Sequence, residues 1–466
     1  MPGDEKPREA CGIVGVFNHP EAAKLAYLAL YQLQHRGQES AGIVAADGSR
    51  LRPHRGDGLV AEVFSASVLE NLPGHAAIGH VRYSTTGSTL PENAQPLLAN
   101  YHGGSVAVAH NGNLTNAAEL RAEFERRGSI FQTSTDSEIL LHLIAHASTS
   151  DFNEALMQAL MQIKGAYSLV FLTPHSLAAV RDPRGFRPLS LGKLGTDSYV
   201  VASETCAMDL IGATYLRDVQ PGEILSFDHN GFHTHTPFAR AEPSFCVFEN
   251  IYFSRPDSIA CGRSIYEIRV DLGRELAIEQ PVKADVVISV PDSATPAAIG
   301  FAQESGLPFE MGLIRNHYIG RTFIEPRQHI RDFGAKIKYN TVRGVLEGKR
   351  VVVVDDSIVR GTTSRKIVKM IRDAGAAEVH VRSSAPPLSC PCFFGVDIPS
   401  PEELIASRLS VDEIRKQIRA DSLGYLSIKG LAKVMPKGTA YCTGCFDGNY
   451  PLAVPVKFGK EILEVK

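Results

Sequence analysis

Apolar and polar positions fall into two regimes along this chain. In the first half, short strand-like runs such as CGIVGVF (11–17) and GIVAA (42–46) end in polar clusters. One segment there, residues 21–34 (EAAKLAYLALYQLQ), repeats apolar positions at helical spacing and predicts a helix buried around Leu25, Leu28, Ala29 and Tyr31. In the second half, RVVVV (350–354) is apolar without alternation, as suits a strand buried on both faces of a parallel sheet. Asp355 and Asp356 close that strand, the loop Ser357–Thr363 follows, and Ile367, Val368, Met370 and Ile371 supply the stripe of a helix. ADVVISVPDSATPAAIGFA (284–302) repeats the pattern: a buried strand ends at Pro291, a small polar turn holds Asp292 and Ser293, and a helix follows. A further helix is predicted over VDLGRELAIE (270–279). Strands alternating with helices predict a doubly wound parallel sheet with its ligand beyond the strand carboxyl ends. The Pro- and Ala-bearing stretch around Ala239–Ser244 is the expected linker, dividing residues 11–240 from 241–466.

At 466 residues the chain has room for more than one sizeable core. Its 48 basic and 51 acidic residues leave a net charge of −3, which argues against a nucleic-acid or membrane surface. No apolar run reaches the ~18 residues of a membrane span. The first ten residues, MPGDEKPREA, lack the apolar core of a signal peptide, so a cytoplasmic protein is expected. Eight irregularly spaced cysteines in a chain this long point to catalysis or metal binding rather than a disulfide scaffold.

The chemistry lies in the polar clusters. A small-residue loop entering a helix offers backbone N–H groups to a phosphate, and Asp355 with Asp356 can hold Mg²⁺ or sugar hydroxyls. Cys11, alone, is as compatible with a buried structural thiol as with a nucleophile. Its neighbours are HRGQESAG (35–42), HVRYSTTG (80–87), NAQPL (93–97), AHNGNLTN (109–116) and TDSEIL (135–140). Together they fit hydrolysis of an amide. If the chain is cut before Cys11, the freed α-amino group, of pKa roughly 7.7–8.0, can serve the thiol as general base. Asn111 and the Gly112 N–H can form an oxyanion hole, while Arg82 and Asp136 suit the carboxylate and ammonium of an amino acid. The segment 315–340 is rich in Arg, Lys and His and reads as a lid over a polyanion. Cys442 and Cys445 form a CxxC compatible with zinc, a redox pair or an iron–sulfur cluster; with no thioredoxin-like context, metal is favoured. Two further ligands would come from Cys206, Cys246, Cys261, Cys390 and Cys392, among which spacing does not choose.

Cys11 with HRGQESAG, HVRYSTTG and AHNGNLTN resembles the class II glutamine amidotransferases, over about residues 11–235. That resemblance implies the N-terminal-nucleophile hydrolase fold, a four-layer αββα sandwich, and removal of residues 1–10 as a propeptide. DDSIVRGTT (355–363) resembles the signature of type I phosphoribosyltransferases, which bind phosphoribosyl pyrophosphate (PRPP). By that resemblance Ser357, Ile358, Val359, Arg360, Gly361, Thr362 and Thr363 wrap the 5-phosphate. Asp292 and Ser293 belong to the pyrophosphate loop, and Ser293, Asp355 and Asp356 attend Mg²⁺.

The two signatures in this order resemble the PRPP-dependent glutamine amidotransferases, in their iron–sulfur, Bacillus-like subgroup. The implied reaction transfers the amide nitrogen of glutamine to PRPP, giving 5-phosphoribosylamine, glutamate and pyrophosphate, the first committed step of purine biosynthesis. A [4Fe–4S] cluster on Cys246, Cys392, Cys442 and Cys445, inhibition by purine nucleotides and a homotetramer are implied as well; Cys390 lies outside the pattern. The lid is expected to draw Arg315, His317, Arg321 and Lys338 over PRPP, with Tyr252 and Tyr83 transmitting closure between sites. Another class II amidotransferase would lack DDSIVRGTT, and a PRPP-sensing regulator would not need Cys11 and its partners.

Overall fold

The computed structural model describes residues 11–83, 90–317, 338–398, 400–454 and 463. The first half builds two antiparallel sheets. One runs, edge to edge, Thr214–Asp218, Ser190–Leu194, Ser198–Ala202, Gly12–Phe17, Ala76–Arg82, Ser40–Ala46 and Leu51–Asp57. The other runs Gly231–His235, Ile224–Asp228, Leu177–Arg181, Gly165–Leu172, Gly104–Leu114 and Leu97–Tyr101.

Alternation of side chains along each strand assigns the layers. Ile13 and Phe17 meet Ala107, Ala109, Val170 and Leu172 between the sheets, whereas Val14 and Val16 face the helix Ala22–Gln32. On the far side, Val106, Val108, Leu169 and Phe171 pack under the helices Ala117–Arg126, Glu138–Ala145 and Phe152–Leu160. The result is the expected αββα sandwich. The helix Ala22–Gln32 forms where predicted but turns a different face inward. It buries Ala22, Ala23, Ala26, Ala29 and Leu30, and leaves Leu28 and Tyr31 exposed. Ala29 is buried as expected, and alanines let the helix lie closer to the sheet than leucines would, so four alanines and Leu30, rather than Leu28 and Tyr31, mark the inner face.

In the second half, Val286–Ser289, Arg350–Asp355, Glu378–Ser383 and Ser422–Tyr425 form a parallel sheet in that order. Val352 and Val354 face a core shared with the helices Ile265–Glu279, Thr295–Ser305 and Ile428–Val434. Val351 and Val353 face the opposite core, with Thr362–Asp373 and Val411–Ile418. Helices on both faces explain why the valine run does not alternate. The helix expected at 270–279 begins earlier, at Ile265, because Ile265 and Ile268 extend the buried stripe of Leu272 and Leu276. It meets Thr295–Ser305 backbone to backbone: a Cβ on Gly273 would lie 1.8 Å from the Ala297 carbonyl oxygen.

Candidate active sites and a cysteine cluster

Cys11 immediately precedes the strand Gly12–Phe17, which pairs antiparallel with Ala76–Arg82 so that Gly12 stands opposite Val81. The pairing brings the thiol to the end of the neighbouring strand. Its Sγ donates to the Tyr83 carbonyl at 3.2 Å, and the Tyr83 N–H lies 3.5 Å from the sulfur. Burial pushes the Cys11 thiol up, and the Tyr83 backbone and the Arg82 charge offset part of that rise. Arg82, itself buried, stands 3.8 Å from Glu39. The Asp136 charge also acts on the thiol. Burial pushes the Asp136 carboxyl up, but His110, the Leu114 N–H at 2.8 Å and Ser137 outweigh it and hold it below its ordinary value.

Asn111 and Gly112 lie on the strand Gly104–Leu114. His80 Nε2, 3.0 Å from the His110 carbonyl, joins that strand to the one ending in Arg82. Asn111 is fully buried, and neither its Oδ1 nor its Nδ2 has a hydrogen-bond partner among the described residues. A buried amide left so costs about 1–3 kcal/mol, a cost that a bound polar group would remove. Gly112 has φ +152°, and a Cβ there would lie 2.0 Å from the Ala166 carbonyl oxygen. Of the HVRYSTTG motif, residues 84–87 lie outside the described residues, as does the expected propeptide 1–10.

Behind the thiol lies a network that sequence reading did not find. Arg36 Nε donates to the Cys11 carbonyl at 3.1 Å, and its other nitrogens reach Glu204 at 2.5 Å and Glu249 at 2.7 and 3.0 Å. Glu204 also meets His35 at 2.7 Å, and Glu249 meets Arg187 at 2.5 Å. Burial raises Glu204 and Glu249, but these cations prevail and hold both carboxyls below their ordinary value. Glu249 belongs to the second half, in a wide helical turn Glu249–Phe253, so Arg36 ties the backbone of Cys11 to both halves. Arg36 sits in HRGQESAG, but its partners are 168 and 213 residues away and leave no local signal.

The second site forms at the carboxyl end of Arg350–Asp355. Asp355 and Asp356 are buried; the Asp356 N–H donates to Asp355, and the hydroxyls of Ser357 and Ser293 donate to Asp356 at 2.9 and 2.5 Å. Ser293 comes from the turn after the adjacent strand, so the two predicted loops converge. Gly361 takes φ +77° where the chain enters the helix Thr362–Asp373. The loop's side chains divide. Ile358 and Val359 are buried in the two opposite cores, so only their backbone can face a ligand. Arg360 is drawn to Glu403, with Nε at 2.8 Å. Asp292 is exposed and pairs with Arg315 at 2.8 Å, which brings the start of the basic segment to the second loop. That segment leaves and returns through paired strands, Leu313–Arg315 against Tyr339–Thr341, with the Asn316 N–H on the Lys338 carbonyl. His317 and Lys338 belong to this base, while residues 318–337, including Arg321, lie outside the described residues. Tyr252 packs edge-on against Phe248 and Phe253, whereas Tyr83 O–H donates to Asp397 of the second half at 3.3 Å.

Four cysteines gather between the halves. Cys246 and Cys442 stand side by side in a short parallel ladder, Phe245–Cys246 against Tyr441–Cys442. The thiols of Cys442 and Cys445 each feel those of Cys246 and Cys392. Burial pushes all four thiols up, Cys246 to about 11. Cys390 lies beside them, its N–H on the Cys445 carbonyl at 3.1 Å and its sulfur 3.7 Å from the Ser389 hydroxyl, whereas Cys206 is buried in the sandwich beside Glu204. Phe186, Phe394, Tyr450 and Leu452 wall the group, and the Phe394 N–H donates to the Cys392 sulfur at 3.3 Å. Among the described residues no three His, Cys, Asp or Glu side chains are spaced to chelate a single metal ion. The donor set nevertheless fits an iron–sulfur cluster, which separates its cysteine sulfurs more widely than one ion does and takes N–H donors on sulfur.

Residues 80–209 match the model of the glutamine amidotransferase domain. The amidophosphoribosyltransferase of Bacillus subtilis is 51% identical over 452 residues, 96% of this chain and 95% of that protein. A chloroplastic amidophosphoribosyltransferase of Arabidopsis thaliana is 56% identical over 451 residues, 96% of this chain and 80% of its own length. A solved structure of B. subtilis glutamine PRPP amidotransferase, complexed with ADP and GMP, superposes with TM-score 0.92 at 49% identity, covering 97% of this chain and all of that one. A second, described as the allosteric regulatory enzyme of purine biosynthesis, gives TM-score 0.92 at 51% identity over 96% of this chain and 97% of that one.

Proposed function

The chain belongs to the amidophosphoribosyltransferase family, and from that premise we propose how its residues transfer the amide nitrogen of glutamine to PRPP in the first step of purine biosynthesis. The observation that carries the reading is one chain holding both a buried thiol at a strand end next to Arg82 and Tyr83 and a paired-carboxylate loop at a parallel strand end. Residues 11–240 form the glutaminase domain and 241–466 the phosphoribosyltransferase domain. Removal of residues 1–10 makes Cys11 the first residue.

Arg82 holds the α-carboxylate of glutamine and Asp136 its ammonium. The Cys11 α-amino group takes the thiol proton as Sγ attacks the side-chain amide. Asn111 Nδ2 and the Gly112 N–H receive the developing oxyanion. Ammonia leaves, and water then hydrolyses the thioester to glutamate. At the second site the loop Ser357–Thr363 holds the 5-phosphate by its backbone, and Asp355 and Asp356 orient the ribose. Ammonia attacks C1 as pyrophosphate departs toward the turn of Asp292 and Ser293. Ser293, Asp355 and Asp356 would hold Mg²⁺, which when bound neutralises the leaving group; Mg²⁺ sites of this kind lean on substrate phosphates and water rather than on a full protein cage. Arg315, His317, Arg321 and Lys338 close over PRPP, and Tyr83 and Tyr252 carry that state toward Cys11.

Cys246, Cys392, Cys442 and Cys445 would hold a [4Fe–4S] cluster of structural role. Purine nucleotides inhibit, a reading supported by the relative solved with ADP and GMP. A cytoplasmic homotetramer completes the reading; no described helix is long and apolar enough to cross a membrane. The test is glutamate release from glutamine with and without PRPP, alongside pyrophosphate. PRPP-dependent release in equal amounts is expected. Cys11→Ala should lose glutamine-dependent synthesis and keep synthesis from ammonia. Glutamate release indifferent to PRPP, or glutamine use by Cys11→Ala, would overturn the assignment.

A further inference from the structure

Arg187 is fully buried and its Nη2 lies 2.5 Å from Glu249 Oε1. Glu249 is also gripped by Arg36 at 2.7 and 3.0 Å. A guanidinium carries five N–H donors, and among the described residues Nε and Nη1 of Arg187 have no hydrogen-bond partner, a costly arrangement in a protein interior. The other side of Arg187 explains it. The Cys246 N–H bonds to the carbonyl of Phe186, the preceding residue, at 3.0 Å. Phe186 stacks on Phe394 with ring centroids 4.5 Å apart, and Phe394 follows Cys392 by two residues. Glu249, which Arg187 Nη2 meets at 2.5 Å, follows Cys246 by three residues. The Arg187 backbone is pinned as well, its carbonyl accepting from Arg181 Nε at 2.9 Å and from the Ser168 hydroxyl at 3.3 Å.

We propose that Arg187 is the internal counter-charge of the iron–sulfur group held by Cys246, Cys392, Cys442 and Cys445, with Nε and Nη1, the nitrogens that Glu249 does not engage, serving as donors to sulfur. The inference rests on the cluster reading given above. Four thiolates around an iron–sulfur core make a buried anion, and net charge and hydrogen bonds to sulfur govern both its retention and its potential. Arg187 supplies a positive charge on the side of Cys246 and Cys392, where backbone N–H donors alone would leave the anion uncompensated.

The experiment uses the full chain, purified without oxygen, as wild type, Arg187→Met, Arg187→Lys and Glu249→Gln. Iron and sulfide per chain, reduction potential and iron loss to a chelator are measured. Arg187→Met should shift the potential negative, since removing a buried cation disfavours adding an electron, and should lose iron about tenfold faster. Arg187→Lys should lie between. Glu249→Gln removes an anion from the same neighbourhood and should shift the potential positive. A merely structural role predicts instead that both neutral variants destabilise the fold and leave the potential where it was. If Arg187→Met does not fold, the opposed directions of Arg187→Lys and Glu249→Gln decide the matter. Wild-type potential and iron retention in the Arg187 variants would overturn the inference while sparing the cluster. Wild-type protein free of iron would overturn both.

Discussion

Asn113 Nδ2 donates to the carbonyl of Phe393 at 2.9 Å. Asn113 lies two residues beyond the buried Asn111, and Phe393 is the neighbour of Cys392. One hydrogen bond thus joins the strand Gly104–Leu114 of the first half to the cysteine segment of the second. The join is close-packed: a Cβ on Gly395, at φ +91°, would stand 2.9 Å from the backbone of Gly112. With Tyr83 on Asp397, three contacts from residues 393–397 buttress the glutaminase site. Whatever holds Cys392 in place holds the strand of Asn111 and Gly112 too.

Gly395→Ala should therefore injure the distant reaction. The left-handed backbone and the clash against Gly112 together cost about 1–3 kcal/mol, and part of that falls on the oxyanion geometry. We expect glutaminase kcat to fall about tenfold while ammonia-dependent synthesis is largely retained. Asn113→Ala should act in the same direction by about 1 kcal/mol. Parallel loss of both activities would point to general misfolding instead.

Asn111→Ala tests the donor itself. Loss of one preorganised oxyanion donor costs about 10²–10³ in kcat. Because the Asn111 amide has no protein partner to disappoint, stability should hold or rise slightly. Steady-state glutaminase kinetics beside a thermal melt separate the two. An unchanged kcat would remove Asn111 from the mechanism.

Much of this architecture is legible in local pattern. The valine run before Asp355 announces a strand buried on both faces, and the small-residue loop announces the turn into Thr362–Asp373, because both depend on neighbours in sequence. The inner face of Ala22–Gln32 was not legible from size alone, since close packing selected its alanines over Leu28 and Tyr31. Nor were Arg36–Glu249 or Asn113–Phe393. Those contacts join positions 213 and 280 residues apart, and nothing in the local pattern pairs them. Ile358 and Val359 illustrate a subtler limit: the motif identifies the loop, but only the fold reveals that their side chains belong to the two cores.

Asp355→Asn and Asp356→Asn should weaken PRPP use. Asp356 accepts from both Ser293 and Ser357, so its replacement disturbs the two loops together, whereas Asp355 mainly fixes the Asp356 N–H. We expect a raised KM for PRPP in both variants and the larger loss of synthase turnover at Asp356. Glutaminase stimulation by PRPP should need correspondingly more PRPP. Unaltered KM and turnover in both variants would dissociate the pair from the substrate.

Arg36→Met should change how stability depends on pH, with a sign that follows from the buried carboxyls. In the native chain Glu204 and Glu249 titrate below their ordinary value despite burial, because His35, Arg36 and Arg187 surround them. A group depressed in the folded state stabilises above its unfolded pKa, about 4.3 for glutamate, and that contribution is lost as pH falls through the folded value. Removing Arg36 leaves two buried carboxylates short of a partner, a defect of about 3–5 kcal/mol at neutral pH. Acidification protonates those carboxyls and relieves the defect. The stability gap between wild type and Arg36→Met should accordingly be widest near pH 7 and narrow below about pH 4.3. Urea midpoints measured across that range check it. The variant should also lose glutaminase activity at neutral pH, since Arg36 Nε fixes the Cys11 carbonyl. A gap that stays constant or widens in acid would mean that Glu204 and Glu249 draw their charge stabilisation from elsewhere.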